Sequence, residues 1–266
     1  MINVVKTGGK VLSDPQLFQY LLRSFTRLTG SKVLVHGGGN TATKMAEKLG
    51  IENKMINGRR ITTDEIIDLV SMVYSGINKR LVASLQARSL NAIGLCGADL
   101  NLIEAIKRPV KEIDYGWVGD IVSVDGQRLM SLLEQDMLPV MAPLTHDKAG
   151  HLLNTNADTI AATVASAIAQ CESRCRLILC FERAGVLQDP SDENSVIEEI
   201  DELDFDAYCQ AGIIADGMIP KLHNAFEALR AGVEEVLICN PINIGKAEGA
   251  DFVGTRVLLR STKSIA

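Results

Sequence analysis

Apolar runs of four or five residues recur along the chain at positions 3–6, 32–36, 92–95, 138–142, 176–180, 235–239 and 256–259. They are short, rich in β-branched residues and bounded by glycine or polar side chains, so they read as strands. Between most of them the apolar positions fall three and four apart, which predicts helices. Strands alternating with helices argue for the α/β class, as a three-layer α/β/α sandwich with a mostly parallel central sheet. Helix starts stand at Ser13-Asp14-Pro15, at Thr63-Asp64-Glu65-Ile66, which opens a long helix to about Ala87, and at Asp216-Gly217, ahead of a helix to about Arg230. Asp125-Gly126 and Lys148-Ala149-Gly150 predict turns beside short ribbons at 121–124 and 151–153. A boundary near Gln170 separates lobes of residues 1–170 and 171–266 that share one continuous sheet.

Two of the strands run straight into glycine, at Val5-Lys6-Thr7-Gly8-Gly9 and at His36-Gly37-Gly38-Gly39-Asn40. The carboxyl ends of parallel strands are where open α/β sheets bind ligands, and backbone without a Cβ lets N–H groups approach an oxyanion closely. Lys6 adds an ammonium beside the first pair of glycines. The combination suits two anionic groups held side by side, one of them a phosphoryl group in transfer, where positioning and charge stabilisation do most of the chemistry. Taken singly, either cluster also reads as an ordinary tight strand-to-helix turn.

The 266 residues carry 27 Lys and Arg against 33 Asp and Glu, a net charge of −6, so nothing offers a basic footprint for nucleic acid or an acidic membrane. No apolar run approaches a membrane span, and small-molecule partners are expected. Aromatic residues make up only 4%, which predicts an aliphatic core. The six cysteines are scattered through a chain large enough to need no disulfide staples, and no secretory segment precedes them, which predicts reduced thiols in a cytoplasmic protein. Cys171, Cys175 and Cys180 lack the paired spacing of a zinc site, so no metal site is expected there.

Asn57-Gly58-Arg59-Arg60-Ile61-Thr62 presents two guanidinium groups at a turn. One of them can hold a carboxylate by a two-pronged hydrogen bond, and the alternative is a solvated basic turn. Asn154-Thr155-Asn156-Ala157-Asp158 enters a helix of small residues, where its side chains either cap the helix or serve recognition, Asn154 toward a substrate and Asp158 toward lysines. Asp216-Gly217-Met218-Ile219-Pro220-Lys221 sets a lysine about one turn into a helix. Alone this is a surface lysine, and with Lys6 and Asp158 it becomes a second cation beside a phosphate. His36 reads as a hydrogen-bonded structural residue, since no serine or cysteine nucleophile motif lies near it, and Trp117 reads as packing. The pattern G-x-x-x-x-G-K-[ST] does not occur, and Gly37-x-Gly39-x-x-Ala42 lacks the later acidic residue that would bind a ribose.

In order and spacing, these segments together with Gly116-Trp117-Val118-Gly119-Asp120 resemble the N-acetylglutamate kinases of the amino acid kinase superfamily, from Asn3 to Arg256. The resemblance implies phosphorylation of the γ-carboxylate of N-acetyl-L-glutamate in arginine biosynthesis, with ATP as co-substrate, Mg2+, and a homodimer joined through the amino-terminal half. It implies that Lys6 and Lys221 stabilise the transferring phosphoryl group and that Asp158 organises them. Gly38, Gly39, Arg60 and Asn154 would bind the acylglutamate, the last two at its α-carboxylate. Gly8 and Gly9 would contact phosphate, and Glu182, Gly185, Leu187, Ile213 and Ala215 would lie along ATP. On this basis the lobe of residues 1–170 binds acylglutamate and dimerises, and the lobe of residues 171–266 binds ATP. Lys6 arrives too early for the amino-terminal helix of the arginine-inhibited members, so an arginine-insensitive enzyme is expected.

Some positions depart from the usual family pattern. Cys180-Phe181-Glu182-Arg183-Ala184-Gly185-Val186-Leu187 stands where Thr/Ser-Asp-Val-x-Gly-Val-Leu is common, with Glu182 in place of the aspartate. That segment leaves open a metabolite sensor that binds ligands without turnover. Thr7 stands where leucine is common, and Arg59 is an unusual neighbour for Arg60. The added cation leaves open a second carboxylate on the acyl group, as in N-succinylglutamate, or an arginine that simply faces solvent.

Overall fold

A computed structural model describes residues 1–56, 58–215 and 217–259. Asn57 and Asp216, which belong to two of the segments singled out above, lie outside the described residues. Strand β1 (Ile2–Thr7) leads through α1 (Gly9–Ser13) and α2 (Pro15–Arg27) to β2 (Lys32–His36). Helix α3 (Gly39–Leu49), a hairpin of β3 (Met55–Ile56) and β4 (Arg59–Arg60), and α4 (Asp64–Gln86) precede β5 (Ala92–Leu95). The middle of the chain supplies β6 (Ile103–Lys107), β7 (Gly119–Val124), α5 (Gly126–Glu134), β8 (Leu138–Met141), β9 (Leu144–His146), β10 (Leu152–Asn154) and α6 (Ala157–Gln170). The last part runs through β11 (Cys175–Cys180), β12 (Glu199–Ile200), α7 (Glu202–Gln210), α8 (Met218–Arg230), β13 (Glu235–Cys239) and β14 (Thr255–Val257).

Eight strands form one sheet in the order β12-β14-β13-β11-β1-β2-β8-β5. All its pairings are parallel except that of β13 with β14. Successive side chains of a strand point to opposite faces, and this period sorts the core into two layers. Val4, Val33, Val35, Leu177 and Leu179 pack with Leu129 of α5, Ile160 of α6 and Leu222 of α8. Val5, Leu34 and Ile178 pack on the other side with Leu21 of α2, Ala42 of α3 and Ile66 of α4. Each such fully buried aliphatic side chain contributes roughly 1.5–3 kcal/mol relative to exposure, so the sandwich rests on its two aliphatic layers. The same period places Lys6 on the Val4 face, toward α6, and Thr7 on the opposite one.

The helix starts at Asp14 and Thr63 form as their sequences predict. The Asp14 carboxylate accepts from the backbone N–H groups of Gln16 and Leu17 at 2.8 and 2.9 Å, with Pro15 at the first helical position. Thr63 Oγ1 accepts from Ile66 N–H at 3.3 Å. Asp125-Gly126 is different: it opens α5 and closes no ribbon. Asp125 caps that helix by accepting from Arg128 N–H at 3.0 Å, and Gly126 packs so closely on α6 that a Cβ would lie 2.5 Å from the Ala167 carbonyl oxygen. The ribbon at 121–124 extends back to Gly119 and pairs antiparallel with β6, a strand that the hydrophobic pattern did not mark. The last predicted strand ends at Val257, and Leu258 and Leu259 are exposed beyond it. Gln170 is the last residue of α6, ahead of β11, and the sheet runs continuously across that position, with β11 between β1 and β13. No described helix is long and apolar enough to cross a membrane.

Candidate active site

Helix α6 begins at a polar corner that positions an acid. Asn156 Oδ1 accepts from the N–H groups of Asp158 and Thr159 at 2.8 and 3.1 Å, which fixes Asp158 in the first turn. The capping reading of this segment is therefore realised, on Asn156. Asp158 Oδ1 receives Lys6 Nζ at 3.0 Å from the end of β1 and Lys221 Nζ at 3.1 Å from the first turn of α8. Burial raises the Asp158 pKa, but the Lys6 and Lys221 ammonium groups outweigh it and hold the carboxyl at about 2. Burial lowers the pKa of Lys221, opposed by Asp158 and reinforced by Lys6. Two cations share one carboxylate oxygen, so the trio keeps a net positive charge that an entering phosphoryl group can meet.

The two glycine loops are joined beside this trio. Gly37 N–H donates to the Thr7 carbonyl at 2.8 Å, and Gly8 N–H donates to the Cys180 carbonyl at 3.2 Å. A Cβ on Gly9 would stand 3.9 Å from the Gly38 nitrogen. Gly38 lies under helix α4, where a Cβ would fall 2.6 Å from the Tyr74 ring and 2.9 Å from Ile77 Cδ1. Its φ of −176° is ordinary extended backbone, so proximity to α4, not backbone strain, calls for glycine here.

The loops open on a cleft of about 430 Å³ lined by Lys6, Gly9, Gly37, Gly38, Gly39, Arg59, Arg60, Asn154 and Asp158, among others. Arg60 is buried, and its Nη2 donates at 2.9 Å both to the Gly39 carbonyl and to Thr43 Oγ1, while Nη1 donates to Asn53 Oδ1. Burial pushes the Arg60 pKa down, partly countered by its neighbour Tyr74, and burial pushes the Tyr74 phenol up. Asn154 Nδ2 donates to Thr62 Oγ1 at 3.1 Å, tying β10 to the residues after β4. Tyr74, Thr43 and Asn53 escaped the sequence reading. Tyr74 alone left a trace there, as a phenol on the α4 face that carries Val70, Ile77 and Leu81, where a buried hydroxyl needs a partner.

His36 is the structural residue its context predicts. Its Nδ1–H donates to the Gly37 carbonyl at 2.9 Å, and Asn78 Nδ2 donates to Nε2 at 3.3 Å. Burial lowers its pKa to about 4, so the ring is neutral at pH 7. Trp117 packs, stacking on His151 with ring centroids 4.9 Å apart and lying 4.1 Å below the Lys107 ammonium.

Among the residues expected along a nucleotide, Glu182 forms an ion pair with Lys10 at 2.7 Å. Burial opposes ionisation of Glu182, and Lys10 outweighs it, so its pKa lies below the usual value. Gly185 is packed so that a Cβ would meet Thr255 Oγ1 and Val196 Cγ1 at 2.8 Å each, and Leu187 is buried across a bridge from Val196. Ile213 is half-buried and Ala215 exposed just before α8. These residues and Gly8 stand apart from the lining of the cleft that holds Arg60 and Asn154. Lys6 and Asp158 belong to that lining, and Lys221 reaches Asp158 from outside it.

The family profile described as the amino acid kinase family matches residues 1–240. The acetylglutamate kinase of Parabacteroides distasonis is 52% identical over 247 residues, spanning 92% of this chain and 96% of that protein. The acetylglutamate kinase of Methanopyrus kandleri is 37% identical over 244 residues, 90% of this chain and 95% of its own. Among solved structures, N-acetylglutamate synthase from Neisseria gonorrhoeae complexed with coenzyme A and N-acetyl-glutamate has a TM-score of 0.81 at 19% identity, covering 98% of this chain and 60% of that one. Carbamate kinase from Giardia lamblia bound to AMP-PNP has a TM-score of 0.70 at 13% identity over 97% and 98% of the two chains. The two structures share the fold, and the profile and the two relatives span nearly the whole chain: it belongs to the amino acid kinase family.

Proposed function

We propose that this chain transfers the γ-phosphoryl group of ATP to the γ-carboxylate of N-acetyl-L-glutamate, giving N-acetyl-L-glutamyl 5-phosphate and ADP, a step of arginine biosynthesis. The observation that carries the reading is the Lys6–Asp158–Lys221 cluster at the edge of a glycine-lined cleft that also holds Arg60 and Asn154. The names of relatives at 52% identity support the same acceptor.

The acceptor carboxylate has an ordinary pKa of about 4.3, so it is ionised at pH 7 and needs no general base. Its oxygen attacks the γ-phosphorus, the bond to the bridging oxygen breaks, and that electron pair leaves on ADP. The obstacle is repulsion between two anions, which Lys6, Lys221 and the glycine amides offset. Arg60 and Asn154 hold the α-carboxylate, and Gly38 and Gly39 shape the floor beneath the acyl amide. Gly8 and Gly9 face the phosphates, and Glu182, Gly185, Leu187, Ile213 and Ala215 lie along the nucleotide. Mg2+ suits a site of this kind when phosphate oxygens carry it, because it keeps much of its water and needs few protein ligands. The chain's own carboxylates nearby are committed, Asp158 to two lysines and Glu182 to Lys10. Residues 1–170 then serve the acceptor and the dimer contact, and residues 171–266 serve the nucleotide. Six free thiols accord with a cytoplasmic enzyme, and the family resemblance supports a homodimer.

A hydroxamate trap for acyl phosphate tests the reading. Acetylglutamate with ATP should yield hydroxamate and ADP together, and glutamate and aspartate should yield little of either. Binding of both ligands without ADP release would identify a sensor instead.

A further inference from the structure

The cleft holds more guanidinium than acetylglutamate uses. Of its basic lining residues, Lys6 belongs to the phosphoryl cluster and Arg60 to the α-carboxylate, which leaves Arg59 and Arg108. Arg59 is exposed on β4, and its side chain forms no ion pair or hydrogen bond with a described residue. Arg108 follows β6 and is held in place: its Nε donates at 3.1 Å to both carboxylate oxygens of Asp120 on β7, its Nη2 donates to Oδ1 as well, and its guanidinium carbon lies 5.5 Å from the Tyr115 ring centre. Arg108 Nη1 makes no hydrogen bond to a described residue. The fork is thus oriented with one edge spare, half-buried on the wall of the cleft.

An acetyl group ends in a methyl, which asks only for apolar contact such as Val118, Ile121 and Pro143 offer in the same cleft. It gives a guanidinium nothing to bind. A carboxylate-ended acyl group would, and a fixed arginine edge is the side chain best suited to receive it. We propose that the acyl end of the cleft is built for an acyl group ending in a carboxylate, with Arg108 and Arg59 as specificity-determining residues. The preferred acceptor is then an N-dicarboxylacyl glutamate such as N-succinylglutamate, one methylene and one carboxylate longer than the acetyl compound. This rests on the acylglutamate kinase reading above and replaces the acetyl group of its acceptor with a longer, charged acyl group.

The experiment compares kcat/KM for N-acetyl-, N-butyryl- and N-succinylglutamate by ADP release and hydroxamate yield. The butyryl compound matches the succinyl chain in length without its charge. Succinylglutamate should exceed both by about tenfold or more, the value of a charge-assisted hydrogen bond. The succinyl-to-acetyl ratio should fall about tenfold in R108Q and several-fold in R59Q, whose exposed hairpin position keeps the test open if R108Q folds poorly. Equal rates with butyryl and succinyl, a preference for acetyl, or a ratio unmoved in R59Q and in a folded R108Q would overturn the inference and leave the kinase reading standing. No turnover of any acylglutamate would overturn both.

Discussion

Lys6 and Lys221 donate to the same oxygen of Asp158, and this sets how each behaves when changed. Either lysine can be removed without leaving the buried carboxylate unpaired, because the other remains. Lys6→Ala and Lys221→Ala should therefore stay folded while kcat falls by about 10²-fold or more, with a much smaller change in the acceptor KM, since their charge counts most in the transition state. Steady-state kinetics on both variants checks this, and an unchanged kcat would remove that lysine from the chemistry. His36 gives a second prediction. Its folded pKa of about 4 lies below the unfolded value of about 6.5, so the fold favours the neutral ring. The stability this confers is complete above pH 6.5 and drains away as pH falls toward 4, by up to about 3 kcal/mol. Urea midpoints measured from pH 7 to 4.5 should show the decline, and His36→Gln should flatten it. Asp158 titrates about two units lower and leaves that window clear.

Helix α4 and the loop before α3 touch at one point that discriminates between neighbouring glycines. A methyl at Gly38 would strike the Tyr74 ring, whereas a methyl at Gly39 would meet only Arg60 Nη2 at 3.9 Å. Gly38→Ala should cost about 1–3 kcal/mol by overpacking and, through Tyr74, disturb Arg60. Gly39→Ala should cost far less, and thermal melts of the two side by side decide the point. Elements of this kind were legible where local chemistry dominates: β2, β5 and β13 have the bounds that their apolar runs predict, and α4 starts at its Thr63 cap. What failed depended on distant partners. Asp125-Gly126 has the composition of a turn and also that of a helix cap, and it is realised as the cap of α5 with Gly126 packed on α6. β6 has too few buried positions to announce itself without β7. The Lys6–Asp158–Lys221 cluster was legible because each member sits at a strand end or helix start, while Arg108 and Tyr74 acquire meaning only from what folds next to them.

Across the whole molecule, one sheet runs through the position near Gln170 where the sequence suggests a division. Strand β11 comes from residues beyond it and pairs with β1 along its full length, from Ile2 opposite Cys175 to Thr7 opposite Cys180. A fragment of residues 1–170 would expose the edge of β1 that β11 now covers, together with the Val4 layer beneath α8. Denaturant unfolding of the whole chain should accordingly follow one transition, with circular dichroism and Trp117 fluorescence coincident. The isolated fragment should lack a cooperative melt. Two resolved transitions would show that the lobes fold separately.

The bond from Gly37 N–H to the Thr7 carbonyl gains its meaning at this scale. On the proposed roles of the two loops, it would fasten the acceptor's cradle to the donor's at the point where adjacent sheet strands end, so the gap that the migrating phosphorus crosses would be ruled off by the spacing of β1 and β2. Precision of that step is inherited from the scaffold, and a lesion anywhere along those two strands would blur the alignment of both reactants at once.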